Sequence, residues 1–501
     1  MNRVILSFDK ITVRNLNGIL FENLSFEIKK GEHWALIGAS GTGKSALLST
    51  IAGKFPIIKG KVERPLLEEC VQDKLRHNPL FNWRKLIAHI EQKHNFRNLT
   101  NTKDFYYQQR FNSSDSEDAQ TVKEYLLSLE SETLEGEWNY DKIVERLNLK
   151  DLLDKQLFKL SNGETKRLRI AASLIKNPVL LLMDNPLTGL DLKAREDFDM
   201  LIEDIIESGI TIIMVTSPNE IPDAITNVAV LESQAIVNSG PKAKLDISKI
   251  DFQETETINA KELQELLSLN DPYQYDLIVG MENVKVKYKE KVILNNINWN
   301  IRQGERWALL GHNGAGKSTL LSLINGDNPQ AYANKITLFD KRRGTGESIW
   351  AIKGKIGFVS PELFQYFPVS MSCLQVIESG FYDTLGLFRP SSPAKAKIAR
   401  QWMKVLELEN HATTLFKNVS ASTQRLCLLA RALVKNPPLL IFDEPCQGLD
   451  SHQQKQFKQV IEAICAISQV SIIYVSHYSH EIPESVNHTL KLENGEVSAI
   501  V

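Results

Sequence analysis

Two sequence segments each occur twice in this chain, in the same order, and this duplication limits the folds that the chain can adopt. KGEHWALIGASGTGKSALL at residues 30–48 recurs as QGERWALLGHNGAGKSTLL at residues 303–321. LLLMDNPLTGLD at residues 180–191 recurs as LLIFDEPCQGLD at residues 439–450. Solenoid repeats have periods of about 20 to 50 residues, so this much longer period indicates the duplication of a whole domain.

We therefore predict two α/β domains, at residues 1–240 and 278–501, joined by an acidic linker at residues 241–277. Continuous Val, Ile and Leu runs, such as residues 210–215, are typical of a parallel sheet that is covered on both faces. The first copy carries extra residues, which we place at 95–121. That polar, partly aromatic segment is either a solvated surface excursion or a docking element.

Charge and composition exclude several classes of protein. The chain has 59 basic and 61 acidic residues among 501, so no bulk electrostatic attraction favours nucleic acid, and we expect no nucleic-acid partner. The apolar runs are far shorter than the ~20 residues that span a bilayer. The charged N-terminus lacks the apolar segment of a secretory signal. Five scattered cysteines indicate reduced thiols and a cytoplasmic location.

Both glycine-rich segments match G-x-x-x-x-G-K-[ST] between a predicted strand and a predicted helix. In this arrangement backbone N–H groups and the helix N-terminus bind phosphate, the lysine neutralises its charge, and the hydroxyl reaches Mg²⁺. ATP and Mg²⁺ are therefore the predicted ligands. The predicted binding residues are Gly38, Ala39, Ser40, Gly41, Thr42, Gly43, Lys44 and Ser45 in the first copy, and Gly311, His312, Asn313, Gly314, Ala315, Gly316, Lys317, Ser318 and Thr319 in the second.

The second repeated segment supplies carboxylates at the end of a predicted buried strand. Asp184 and Asp443 stand where a carboxylate can hold Mg²⁺, directly or through water. Glu444 follows Asp443 and is placed to accept a proton from the water that attacks a γ-phosphate, which Asn185 cannot do. Losing a general base costs ~10²–10⁴-fold in rate. Asn185 thus marks either a site that binds without turnover or tolerated drift with residual hydrolysis.

LSNGE at residues 160–164, together with these motifs, resembles the ATP-binding cassette (ABC) ATPases over essentially the whole chain. The resemblance implies two P-loop nucleotide-binding domains in tandem, each with a parallel-sheet core, an antiparallel β-subdomain and a helical subdomain. In that family the domains sandwich two ATP molecules head to tail, so each site joins the Walker motifs of one domain to the signature of the other. Ser161, Gly163 and Glu164 would then complete the site of the second copy.

Measured against this family, four departures fall in one composite site. They are Asn185 in place of the glutamate, Ser217 where the second copy has the switch histidine His477, Asn15 where the second copy has Tyr288 to stack on adenine, and Ser422 in place of the signature glycine. A Cβ at Ser422 would crowd the backbone approach to phosphate. His477 and Tyr288 have the simpler alternative of packing in the core.

The other composite site has a single departure, because Pro361 stands where the family has a glutamine that senses Mg²⁺; the first copy keeps Gln92. The predicted metal ligands are Ser45, Gln92, Asp184, Ser318 and Asp443, and the predicted catalytic residues are Glu444 and His477. Random decay would scatter departures over both sites. Their clustering therefore predicts one catalytic and one structural ATP site.

The run STLLSLINGDNPQAYANKITLFDKRRGTGESIW at residues 318–350 resembles the tandem ABC ATPases of the ModF type, which are associated by family name with molybdate transport or photorepair. Three roles stay open. A transport role requires an integral-membrane permease encoded elsewhere, which would place the chain at the inner face of the membrane. A ribosome-associated factor would have a long basic connector, and this connector is short and acidic. The third role is a regulatory ATP-binding switch.

Overall fold

The computed structural model describes two compact units. The described residues of unit 1 are 3–15, 18–39, 41–76, 79, 81–91, 120–130, 136–160, 162–187 and 192–245. Those of unit 2 are 260–268, 274–288, 291–368, 370–388, 390–447, 449, 451–476 and 481–501. All but the last two residues of the predicted insertion at 95–121 lie outside the described residues. The domain bounds at 240 and 278 stay a prediction.

Unit 1 combines two sheets with helices. Its described strands are β1 (Val4–Asn15), β2 (Gly18–Lys29), β3 (Trp34–Ile37), β4 (Ile57–Glu63), β5 (Ile87–Ile90), β6 (Leu180–Asp184), β7 (Thr211–Val215), β8 (Asn227–Glu232) and β9 (Ala235–Pro241). Its described helices are α1 (Lys44–Ile51), α2 (Pro65–Leu75), α3 (Val122–Glu130), α4 (Tyr140–Arg146), α5 (Asn162–Leu174) and α6 (Leu192–Glu207). One sheet has the antiparallel order β2-β1-β4, and the other has the order β5-β6-β7-β3-β8-β9, parallel except for β9.

Unit 2 repeats this plan. Its described strands are β10 (Leu277–Tyr288), β11 (Lys291–Arg302), β12 (Arg306–Leu310), β13 (Lys335–Leu338), β14 (Lys341–Arg342), β15 (Ile356–Val359), β16 (Leu439–Asp443), β17 (Ser471–Val475), β18 (His488–Glu493) and β19 (Glu496–Ile500). Its described helices are α7 (Ala260–Leu267), α8 (Lys317–Asn325), α9 (Ile349–Lys353), α10 (Pro361–Tyr366), α11 (Cys373–Glu378), α12 (Pro393–Val405), α13 (Ala421–Leu433) and α14 (Ser451–Ile467). The sheets have the orders β11-β10-β13-β14 and β15-β16-β17-β12-β18-β19.

The central strands are buried on both faces, as their continuous apolar sequences predict. In β6, Leu180 and Leu182 belong to one hydrophobic cluster of unit 1, whereas Leu181 and Met183 belong to another. Side chains alternate across a strand, so the sheet lies between two cores. Strand β16 divides its side chains between two clusters in the same way. Each of these strands ends in an aspartate that emerges at the carboxyl edge of the sheet.

Helices supply a further layer in each unit. Helices α11, α12 and α13 pack against one another around Cys373, Trp402 and Leu426. In unit 1, α5 contacts both α3 and α4 in the equivalent part of the chain. None of the helices in the described ranges is both long enough and apolar enough to cross a membrane.

The helix of the predicted linker packs into unit 2. Leu263 and Leu266 of α7 are buried in the same hydrophobic cluster as α12 and α14. Lys404 Nζ lies 2.5 Å from Glu262 Oε1, and Asn436 Nδ2 donates to the Leu267 carbonyl oxygen at 2.7 Å. The linker sequence therefore contributes to the core of unit 2.

Candidate functional site

The glycine-rich loop of unit 2 connects β12 to α8 through backbone conformations that favour glycine. Gly311, Gly314 and Gly316 have φ values of 152°, 85° and 104°. A Cβ on Gly311 would lie 2.5 Å from the Leu492 carbonyl oxygen, so a larger residue does not fit there. The main chain can therefore fold tightly enough to turn its N–H groups toward a bound anion.

The loop of unit 1 has the same geometry between β3 and α1. Gly38, Gly41 and Gly43 have φ values of 152°, 79° and 98°. A Cβ on Gly38 would approach the Leu231 carbonyl oxygen to 2.3 Å. Ser40 lies outside the described residues. The described glycines of both loops thus have the same tight backbone geometry, and phosphate binding stays a prediction.

Each loop delivers its lysine to the N-terminus of a helix. Helices α1 and α8 begin at Lys44 and Lys317, and each follows a glycine, which has no side chain that could cap the helix. Lys317 Nζ donates to the carbonyl oxygens of Gly311 at 2.6 Å and His312 at 3.1 Å, and Lys44 Nζ makes the same two contacts in its own loop. Ammonium charge and first-turn N–H groups therefore converge on one place, as phosphate binding requires.

The strand-end aspartates lie beside these loops. Asp184 and Asp443 are 8% and 7% exposed. Burial raises the pKa of Asp184 to about 6, against a hydrogen bond that the Ser45 hydroxyl donates to it and against the charge of Lys44. A serine hydroxyl next to a carboxylate is a ligand set that suits Mg²⁺, which also keeps water and phosphate oxygens. In the described ranges no three His, Cys, Asp or Glu side chains form a metal cluster, so Mg²⁺ would rely on those additional oxygens.

Glu444 and Asn185 have the same backbone geometry and differ in side-chain chemistry. Their φ values are 49° and 48°. The Glu444 N–H donates to the Val475 carbonyl oxygen and the Asn185 N–H to that of Val215, both at 3.0 Å. Both side chains are therefore presented at the same place relative to their strands, and only Glu444 can accept a proton.

Two residues that the sequence did not single out interact with the Glu444 carboxylate. Gln447 Nε2 donates to Glu444 Oε2 at 3.0 Å. Arg425 interacts electrostatically with the same carboxylate, although burial lowers the Arg425 pKa to about 10. In unit 1, by contrast, Asn185 Nδ2 donates to Asp184 Oδ1 at 3.2 Å. For Gln447 the sequence carries a signal, because the second copy has PCQGLD where the first has PLTGLD. The contact of either residue with Glu444 depends on the folded structure.

The predicted adenine-stacking and switch positions are described only in part. The Tyr288 hydroxyl accepts a hydrogen bond from Asn328 Nδ2 at 3.0 Å, and its ring packs against the core of unit 2. Stacking of Tyr288 on adenine stays a prediction. Its counterpart Asn15 ends β1. Ser217 follows β7, whereas its counterpart His477 lies outside the described residues.

The signature segments lie at the starts of α5 and α13. Gly163 and Glu164 are in the first turn of α5, where the Glu164 carboxylate accepts a hydrogen bond from Lys155 Nζ at 2.6 Å. Ser420 caps α13 by accepting a hydrogen bond from the Thr423 N–H at 3.1 Å, and Ser422 is buried in the first turn. Ser161 and Gln92 lie outside the described part of the chain.

Pro361, at the position of the family's glutamine, begins a helix. Pro361 is the first residue of α10, and the Ser360 side chain caps that helix by accepting a hydrogen bond from the Leu363 N–H at 3.1 Å. Proline is favoured at this position because its missing N–H has no partner there and its φ suits a helix. The segment after β15 is therefore helical.

Two sheet-based units that each carry a phosphate loop and a strand-end aspartate define a tandem P-loop nucleotide-binding protein. The family model described as "ABC transporter" matches residues 21–188 and 294–447, which together make up well over half of the chain. The chain belongs to the ABC transporter family, and its two domains make it an ABC ATPase that binds ATP. The predicted fold class and family resemblance are confirmed.

Similar proteins match along almost the entire length. The ABC transporter ATP-binding protein ModF of Escherichia coli (strain K12) is 32% identical over 479 residues, 93% of this chain and 92% of ModF. An uncharacterised ABC transporter ATP-binding protein of Schizosaccharomyces pombe is 30% identical, over 95% of this chain and 96% of its own. A structure of ribosome-bound archaeal Pelota and ABCE1 contains a chain with a TM-score of 0.61 and 17% identity, covering 98% of this chain and 78% of that one. This last likeness concerns the fold alone.

Proposed function

We propose that this chain is a cytoplasmic ATPase that binds two ATP molecules with Mg²⁺ and hydrolyses ATP mainly at the Walker motifs of unit 2. One observation carries the proposal: Glu444 and Asn185 share a backbone geometry, yet only Glu444 can act as a base. No disulfide joins the five cysteines, all of which are among the described residues, and this agrees with a reducing compartment.

The chemistry of the proposed site divides among a few side chains. Glu444 accepts the proton of the attacking water, while a hydrogen bond from Gln447 orients its carboxylate and the charge of Arg425 stabilises the ionised form. Lys317 and the first turn of α8 bind the β- and γ-phosphates. Ser318 and Asp443 would hold Mg²⁺, which when bound offsets phosphate charge. His477 orients the γ-phosphate and water, and Ser161, Gly163 and Glu164 of the intact signature complete the site in a head-to-tail arrangement of the domains.

The Walker motifs of unit 1 have a structural role in this proposal. The loop, Lys44, Ser45 and Asp184 retain the geometry that phosphate and metal require. Asn185 directs an amide to Asp184 instead of a carboxylate toward water. ATP bound there would hold the domains together while turnover takes place at the other site.

ATP hydrolysis does work on a partner, and we propose two alternatives for the kind of partner. By resemblance to ModF, the partner is an integral-membrane permease of a molybdate-type transport system. Pro361 favours the second proposal, a regulatory ATP-binding switch outside transport. In transporters of this family the glutamine loop meets the permease, and in this chain that position begins the capped helix α10.

Steady-state ATP hydrolysis tests the assignment of the catalytic site. We expect Glu444→Gln to lower turnover by about 100-fold or more, because it removes the base and keeps the shape. Asn185→Gln is the matched control and should retain wild-type turnover. Lys44→Ala should reduce ATP binding in unit 1 and impair turnover less than Lys317→Ala does. Full turnover in Glu444→Gln would show that the site is wrongly assigned.

Affinity purification distinguishes the two partners. Glu444→Gln with ATP should accumulate the closed state, and Glu444→Gln combined with Lys317→Ala is the control that cannot bind ATP at that site. Recovery of a membrane permease only from the single variant supports the transport role. ATP-dependent recovery of a partner without membrane segments supports the switch.

A further inference from the structure

The hydroxyl of Tyr474 joins two segments that adjoin the proposed catalytic residues. Tyr474 lies in β17 and is completely buried. Its hydroxyl donates to the Glu481 carbonyl oxygen at 3.0 Å and lies 3.3 Å from Cys446 Sγ. Cys446 comes two residues after Glu444, and Glu481 comes four residues after His477. One buried phenol therefore contacts both the turn after the base and the chain after the switch histidine.

Burial keeps both the Cys446 thiol and the Tyr474 phenol protonated. Burial, with the nearby Glu481 charge, raises the pKa of Cys446 to about 12, so its thiol keeps a proton that it can donate to the Tyr474 oxygen. Burial also raises the pKa of Tyr474 well above its usual value. The rings of Phe442 and Phe457 pack against the Tyr474 ring at centroid distances of 6.1 Å and 6.4 Å. The phenol is thus neutral and sterically confined.

A second hydrogen bond joins Ser476 to Glu481, the described residues on either side of residues 477–480. Ser476 is 2% exposed, and its Oγ donates to Glu481 Oε2 at 2.5 Å. Glu481 therefore accepts from Ser476 through its carboxylate and from Tyr474 through its carbonyl oxygen. His477 directly follows Ser476 in the sequence. The two ends of the short segment between Ser476 and Glu481 are consequently tied to each other and to β17.

Unit 1 lacks this phenol. The strand registers pair Phe442 with Tyr474 in unit 2 and Met183 with Met214 in unit 1, so Met214 is the counterpart of Tyr474. Leu187 stands in the place of Cys446. A buried hydroxyl is unfavourable unless it is hydrogen-bonded, so core packing alone does not require one here. The hydroxyl occurs in the unit that has the glutamate and the histidine, and not in the unit that lacks both.

We infer that Tyr474 is a positioning residue, whose hydroxyl fixes the turn after Glu444 relative to the chain after His477 and so holds the base in its catalytic place. This inference rests on the proposed function. The hydroxyl touches neither substrate nor water in this role. Its effect is transmitted through Cys446 and Glu481.

Tyr474→Phe tests the inference, because it removes one oxygen and keeps the packed ring. We expect kcat for ATP hydrolysis by the full chain to fall about tenfold, since a small displacement of a catalytic group is costly. KM for ATP should stay within about twofold, because the phosphate loop is untouched. Tyr332→Phe makes the same chemical change at a half-exposed ring of unit 2 and should leave both constants unaltered.

A second comparison separates positioning from general loosening of the fold. In a Glu444→Gln background, Tyr474→Phe should add little further loss, because residues that act through one base are not additive. A full tenfold further loss, or a rise in KM that accounts for the effect, overturns the inference. Wild-type kcat in Tyr474→Phe beside an inactive Glu444→Gln overturns the inference alone. Wild-type turnover in Glu444→Gln overturns the proposed function together with it.

Discussion

At the residue scale, Glu444 and Asn185 share a left-handed backbone conformation directly after a strand-end aspartate. The conformational preference of each residue can therefore be considered apart from its chemistry. Asparagine tolerates positive φ better than glutamate does. Glutamate at position 444 therefore adopts this backbone conformation at a higher free-energy cost than Asn185 does at the equivalent position. The same exchange occurs between Glu407 and Asn148, with φ values of 55° and 49°, at the ends of helices away from the strand-end aspartates. Position after the aspartate, and not the exchange itself, gives Glu444 its significance.

Glu444→Asn should therefore separate stability from activity. We expect turnover to fall by about 100-fold, while the free energy of unfolding stays equal or rises by up to ~1 kcal/mol. Glu407→Asn is the matched control, with a similar effect on stability and wild-type turnover. Urea unfolding and steady-state hydrolysis measure the two quantities. Equal turnover in both variants would contradict the role of Glu444.

His89 of β5 gives a pH-dependent prediction. Burial, with the charges of Lys54 and Arg169, lowers its pKa to about 4, and neither ring nitrogen has a hydrogen-bond partner among the described residues. The unfolded state takes up a proton near pH 6.5 and the folded state does so only near pH 4. The associated stability is thus complete above pH 6.5 and is lost as the pH falls to 4, by about 3 kcal/mol.

The variant His89→Phe should remove this dependence, and Phe358 occupies the equivalent place in β15. Urea unfolding of wild type and variant between pH 4 and 7 provides the comparison. We expect the free energy of unfolding to depend on pH equally in both proteins above pH 6.5. Below pH 6.5 it should fall less steeply in the variant than in the wild type. An unchanged acid slope in the variant would assign the loss to other groups.

At the element scale, local pattern predicted the strands, the phosphate loops and the helices that follow them. Lys44 and Lys317 begin their helices, and Asp184 and Asp443 end buried strands, because glycine spacing and apolar runs determine these elements locally. The capped helix at Pro361 does not follow from the family pattern, which has a glutamine at this position. Contacts of Gln447, Arg425 and Tyr474 could not be predicted, because their partners are brought together only by the folded sheet.

The linker helix α7 gives a prediction at this scale. Leu266 is 3% exposed within the core of unit 2, so Leu266→Ala should lower the free energy of unfolding by about 2–4 kcal/mol. Glu265 is exposed in the same helix, and Glu265→Ala should change stability by less than ~0.5 kcal/mol. Urea unfolding of both variants checks this. Similar, small effects would show that α7 does not contribute to the core.

At the scale of the whole molecule, duplication supplies two equivalent scaffolds, and substitution gives them different chemistry. Both units retain the loop, the lysine and the strand-end aspartate, whereas Glu444, Gln447 and Tyr474 occur only in unit 2. We therefore propose that both units bind ATP and that one set of Walker motifs hydrolyses it. In this proposal unit 1 remains necessary, because its signature is the one that keeps the glycine, Gly163.

The most direct test of this asymmetry counts the fate of each bound nucleotide in a single turnover. The full chain is mixed with Mg²⁺ and two equivalents of radiolabelled ATP at concentrations that fill both sites, the reaction is quenched over time, and bound ATP and ADP are separated. We predict that about half of the bound ATP is converted rapidly and that the other half persists as ATP. In Glu444→Gln nearly all of it should persist. Conversion of both nucleotides at one rate, or rapid conversion of half in Glu444→Gln, would contradict the account.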